Sequence, residues 1–195
     1  MIDFIKHLQN KVYKPEHIPE YILKNALHKT ILDVNYHFPD LSRQLIIERV
    51  QTNSNELAIY LYRIGRELHE QNLSKPLSQL HWLMKELCSC EIYFNNEIDE
   101  GFYVVHGQGT IIGSRNKIGK GFKIHQGCTI GHKENGVGRG SNIGDSVIMY
   151  CNSSIIGELS IGDDVVIGAY VLVTDHIRNN KIIINHPHNL LKDTL

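Results

Sequence analysis

A chain of 195 residues is long enough to bury one sizeable core or two small ones. Its 20 basic and 21 acidic side chains sum to −1, which leaves no basic stripe for nucleic acid, and no apolar run reaches the length of a membrane span. Four cysteines do not make a disulfide framework in a chain this size, and MIDFIKHLQN has no signal-peptide pattern, so reduced thiols and a cytoplasmic location are expected.

The first 89 residues read as helices. Segments 19–37 and 40–51 carry helical patterns separated by the Pro39–Asp40 break. In NELAIYLYRIGRELHEQ, Asn55 to Gln71, the side chains of Leu57, Leu61, Ile64 and Leu68 share one face. Just after Pro76, Leu80, Leu83, Met84 and Leu87 repeat that spacing. These apolar faces predict a small helical core.

From Ile92 onward the period changes to six. Ile92, Ile98 and Val104 set the first phase, and Ile112, Ile118, Ile124 and Ile130 continue it with an offset of two. The ladder skips the glycine-rich HKENGVGRGSN and resumes at Ile143, Met149, Ile155, Ile161, Ile167 and Val173. Hexapeptide periodicity is the signature of a parallel β-helix, in which each short strand turns one side chain inward. Three hexapeptides per 18-residue coil make a triangular prism. Of 16 glycines, 15 follow residue 100, and six of them, Gly113, Gly119, Gly131, Gly144, Gly162 and Gly168, directly follow a ladder residue. That placement predicts tight turns with unusual backbone angles. The fold class is therefore α+β by segregation: an α-helical domain over 1–89, then a parallel β-helix domain over 90–195 with an extended loop and a tail. An exposed prism face predicts self-association, most simply as a homotrimer.

His106 stands at the slip, one step of six before Ile112, where the rhythm asks for an aliphatic side chain. An imidazole buried there without partners would cost stability, whereas a two-residue insertion bulges the coil and throws the ring outward. A break in an otherwise regular repeat is where function is sought.

The combination of YRIGRELHE, CEIYFNNEI, HGQGTIIG, HQGCTIG and SIGDDVVIGA resembles the serine acetyltransferases of the hexapeptide acyltransferase superfamily. The resemblance runs without a gap from Tyr62 to Gly131 and resumes from Ile143 to about Val173. It implies a left-handed coil and acetyl transfer from acetyl-CoA, as donor substrate, to a hydroxyl, with no metal. It places the general base on His106 and the orienting carboxylate on Glu91, where the family has aspartate. Imidazole titrates near neutrality, and a carboxylate on its other nitrogen fixes the tautomer and stabilises the imidazolium. The turn positions that line the family's pantetheine groove fall on Gly131, Cys151 and Ala169, where small side chains allow close approach. Cys128 faces inward as core, and Cys88 with Cys90 lack a second pair for zinc.

Two departures bear on the acceptor. Val105 stands where the family has an acid beside the catalytic histidine, and Gly140 follows Arg139 where a second histidine is usual. Loss of that acid removes a partner for an α-ammonium. The expected acceptor is therefore a different hydroxyl, that of a saccharide of a surface polysaccharide, at a site built from Val105, Gln108 and Arg139. Genuine serine acetylation for cysteine synthesis is the alternative. The tail NHPHNLLKDTL, with Pro187 between His186 and His188, lends little support to docking on a partner enzyme. Further alternatives are a zinc carbonic-anhydrase-like site from His106, His125 and His132, and a trimeric scaffold without catalysis. A dimer of trimers built on the first 50 residues stays open.

Overall fold

The computed structural model describes residues 1–134 and 136–185. Five helices come first: α1 (Ile2–Gln9), α2 (Glu20–His37), α3 (Arg43–Thr52), α4 (Ser54–Glu70) and α5 (Leu77–Cys88). The last four match the expected segments closely, while α1 is an additional helix. α3 begins later than the Pro39 break suggested because the Ser42 hydroxyl caps it, accepting from the Leu45 N–H at 3.2 Å.

α4 is the hub, packed against α2, α3 and α5 and buried from Glu56 to Gly65. Gly65 leaves room for the Phe94 ring, which lies where a Cβ would project. Its neighbour Arg63 ties helices to prism. The guanidinium donates twice to Asp33, both at 2.7 Å, and to the carbonyls of Ile98 at 2.7 Å and Asp99 at 2.8 Å. Asp33 in turn accepts from the N–H groups of Gly101 at 2.9 Å and Phe102 at 3.1 Å. The Tyr62 hydroxyl adds a bond to the Asn96 carbonyl, 2.8 Å.

The strands are short and stack in coils. The first coil holds β1 (Glu91–Ile92), β2 (Glu97–Ile98) and β3 (Tyr103–Val104); the second holds β4 (Ile111–Ile112), β5 (Lys117–Ile118) and β6 (Lys123–Ile124). The third holds β7 (Thr129–Gly131), β8 (Asn142–Ile143) and β9 (Ile148–Met149); the fourth holds β10 (Ser154–Ile156), β11 (Ser160–Ile161) and β12 (Val166–Ile167). β13 (Leu172–Val173) and β14 (Ile182–Ile183) close the stack. Three parallel sheets form the faces: β1-β4-β7-β10-β13, β2-β5-β8-β11 and β3-β6-β9-β12-β14. This is the expected parallel β-helix, preceded by the expected helices. Ladder residues sit directly above one another, Ile92 on Ile112, Ile112 on Ile130, Ile130 on Ile155 and Ile155 on Val173. The slip and the long loop are thus absorbed at corners, and the core register never breaks.

The glycine reading needs correction. None of Gly113, Gly119, Gly131, Gly144, Gly162 and Gly168 has positive φ; left-handed positions fall on other corner residues instead, among them Gly109, Gly121 and Gly127 as well as Arg115, Ser146, Asn152, Asp164 and Tyr170. Five of the six glycines are small because the next layer lies against them. A Cβ on Gly119 would meet the Gly144 carbonyl carbon at 2.8 Å, and one on Gly113 the Ile130 oxygen at 2.9 Å. Gly131 is the roomiest of the six, with only side-chain carbons nearby, at 3.4 Å and beyond. Outward residues differ by face. The middle sheet shows Glu97, Lys117, Asn142 and Ser160, whereas the other two expose Ile111, Leu172 (65%) and Ile182 (73%).

Candidate active site

His106 lies on the corner between β3 and β4, within the stretch 105–110 that holds the two extra residues, and its side chain is exposed. The ring is outside the prism, as the break in the ladder predicts. The corner itself is tightly held. The Val105 N–H donates to the Ile124 carbonyl at 2.9 Å, and Gly109 (φ +73°) donates to the Ser89 carbonyl at 2.8 Å. A Cβ on the buried Gly107 would lie 3.3 Å from the Cys88 oxygen, so the turn is pressed onto the end of α5. The Thr110 hydroxyl donates to the His125 carbonyl one coil up, 2.8 Å.

On that next layer, the His125 ring lies edge-on to His106, with centroids 6.4 Å apart, and stacks on Tyr150 at 4.8 Å. Burial, His106 and Lys123 all push the His125 imidazole below the usual histidine value. A neutral ring adds no positive charge beside His106. Sequence reasoning named His125 only as a trial zinc ligand and overlooked Tyr150. The signal was available: both residues occupy the same step after the ladder position as the start of the His106 corner.

The Glu91 side chain projects from the outer face of β1 at the foot of this turn, lining a cavity with Lys85, Gly109, Thr110 and Ile111. Its carboxylate is bound to Lys85 Nζ at 2.8 Å and lies 3.4 Å from His81 Nε2. Its ionic partner is therefore Lys85, on α5.

Cys151 and Ala169 fall on successive layers of the His106 corner, linked where the Tyr170 N–H meets the Cys151 carbonyl at 3.1 Å. Gly131 does not join them; it roots the long loop on the corner across the β1-β4-β7 face. Arg139 is exposed in that loop, its N–H held by Glu158 at 2.7 Å, while Arg115 pins the loop through the carbonyls of Gly138 (2.9 Å) and Gly136 (3.1 Å). Val105 is half-buried beside His106, and Gln108 is exposed with its carbonyl accepting from Gly127 at 2.9 Å. His132 is on the loop corner and donates Nε2–H to the Ser114 carbonyl at 2.9 Å, away from His106 and His125. Among the described residues no three His, Cys, Asp or Glu side chains converge as a metal site. Cys128 is core, its thiol 3.1 Å from the Tyr150 carbonyl; burial holds the Cys90 thiol up at about 12 and raises Cys88 as well. His186, Pro187 and His188 lie outside the described residues.

One further residue contacts the corner from the helices. Asn55, near the start of α4, donates Nδ2–H to the Val105 carbonyl at 2.8 Å and accepts the Gly107 N–H on Oδ1 at 3.1 Å.

No family model matches the chain. The serine acetyltransferase of Helicobacter pylori is 30% identical over 117 residues, which is 60% of this chain and 68% of that protein. The serine acetyltransferase of Staphylococcus xylosus is 27% identical over 166 residues, 82% of this chain and 75% of that protein. Among solved structures, serine acetyltransferase isoform 3 of Entamoeba histolytica, in complex with cysteine, superposes with a TM-score of 0.71 at 22% identity. That superposition takes in 88% of this chain but 62% of the other, so this chain spans less than two thirds of that structure's length.

Proposed function

The chain belongs to the serine acetyltransferase family, acyltransferases with acetyl-CoA as donor, and on that premise we propose that it acetylates the side-chain hydroxyl of L-serine. The observation that carries this reading is the outward imidazole of His106 on a corner built two residues longer than its counterparts. A hydroxyl is a weak nucleophile until its proton leaves during attack on the thioester carbonyl. His106 takes that proton as the new C–O bond forms. The tetrahedral intermediate then collapses, the C–S bond breaks, and the imidazolium returns the proton to the departing thiolate of CoA.

Glu91 is proposed as the group that orients His106, exchanging Lys85 for the imidazole when substrates bind. The cavity that Glu91 lines with Gly109 and Thr110, residues of the same turn as His106, supports this role. Cys151, Ala169 and Gly131 are proposed to line the pantetheine path, and Arg139 with Gln108 the acceptor side. Gly131 and Arg139 are a full sheet face away from His106 along the same chain, so a site containing all of them needs the loop corner of a second copy. The exposed Ile111, Leu172 and Ile182 support the same conclusion, a homotrimer. Four free cysteines suit a reducing compartment, which supports the cytoplasm.

One observation favours a second acceptor, the uncharged hydroxyl of a saccharide: the half-buried neighbour of His106 is Val105, which offers no charge to an ammonium. The names of the relatives put serine first. Turnover of acetyl-CoA with L-serine, set against nucleotide sugars and oligosaccharides, decides between them. Efficient turnover on serine alone supports the first reading; turnover on a saccharide with none on serine replaces it by the second.

A further inference from the structure

We propose that Asn55 is a positioning residue for His106, its side-chain amide standing in for a strand that the prism lacks. β3 is the edge of its sheet, so the corner that follows it has a hydrogen-bonded neighbour on one side only, through Val105 and Ile124. An open edge leaves backbone groups to be satisfied by something else. In a parallel ladder a strand residue donates to the carbonyl before its partner and accepts from the amide after it. Asn55 makes that pair of bonds around His106, to Val105 O at 2.8 Å and from Gly107 N at 3.1 Å. The backbone that carries this side chain is held too, because the Asn53 side chain caps the start of α4 by accepting the Asn55 backbone N–H at 3.0 Å.

The consequence is local and directional. Both peptide groups flanking His106 are fixed by one side chain, so the Cα–Cβ direction of the base is set by the helices and not by the coil alone. Only a side chain carrying a donor and an acceptor on one planar group can do this. Aspartate has the same shape but meets the Val105 carbonyl with a second acceptor, and alanine offers neither bond. A base held off its productive geometry loses rate while substrate binding elsewhere is spared.

The test compares the full-length wild type with N55A and N55D. Gly107 amide exchange, followed by NMR, reads the clamp without any substrate: it should be protected in the wild type and exchange about tenfold faster or more in N55A. The kinetic arm rests on the proposed acetyl transfer. There, kcat should fall about 10–100-fold in both variants, as second-layer partners commonly show, with KM for acetyl-CoA within about twofold. If N55A does not fold, the isosteric N55D carries the comparison. Unchanged Gly107 protection overturns the clamp, and faster exchange with unchanged kcat overturns the positioning role. If the wild type transfers no acetyl group, the exchange result still decides the clamp, and the functional reading fails separately.

Discussion

His106 was readable from the sequence because it interrupts something: a ladder of aliphatic residues makes one imidazole at a phase break conspicuous. Asn55 was not readable, since its partners are 50 and 52 residues away and only the packed helix brings the amide to them. Glu91 is intermediate. The resemblance points to it, yet its carboxylate is paired with Lys85, so its value to His106 depends on a change of partner. Replacing Glu91 by glutamine removes the charge and keeps the shape. The E91Q protein should lose about 10–100-fold in kcat, measured by thiol release from acetyl-CoA, and an unaltered rate would leave the orienting role without support. Val105 poses the opposite question. Introducing an acid there, V105D, should lower KM for L-serine if the acceptor carries an ammonium, and leave a saccharide reaction unimproved.

Among the elements, the six-residue period gave the three-sided coil and its core residues, because inward positions of a β-helix must be apolar at every layer. The reason for the six glycines that follow ladder residues is close approach, not the unusual backbone angles expected of them. Sequence offers the same residue for left-handed backbone and for close approach, and only the stacking distances separate them. Gly119→Ala should therefore destabilise by overpacking, about 1–3 kcal/mol in chemical denaturation, since its Cβ would press on backbone of the layer above. An indifferent Gly119→Ala would refute the close-approach account. The helices were found from their periodicity, but the Arg63–Asp33 union was hidden, as it joins α4 to α2 and the first coil at once. Removing one partner strands a buried charge, so D33A should cost about 3–5 kcal/mol, read from the same denaturation curves.

For the whole molecule, acid is the informative variable. His37, His81 and His125 are each held below the usual 6.5, in every case chiefly by burial. Between those lowered values and 6.5 the unfolded chain binds more protons than the folded one, so stability rises with pH there and is withdrawn as pH falls through that window. Urea midpoints should drop on acidification below about 6.5, and the slope should flatten when His37 is replaced by asparagine. A midpoint indifferent to pH in that window would contradict the buried neutral rings. Because Ile111, Leu172 and Ile182 are exposed, analytical ultracentrifugation should find the proposed trimer, and a charged residue in place of Leu172 should shift it toward monomer and abolish activity with it.

The most direct trial is acetyl-CoA turnover by H106A beside the wild type, each at saturating acceptor and with melting temperatures recorded. A lost general base predicts a fall in kcat of about 10²–10⁴-fold in a protein that melts as before. An H106A enzyme within a few-fold of the wild type would mean that the prism breaks step for some other reason.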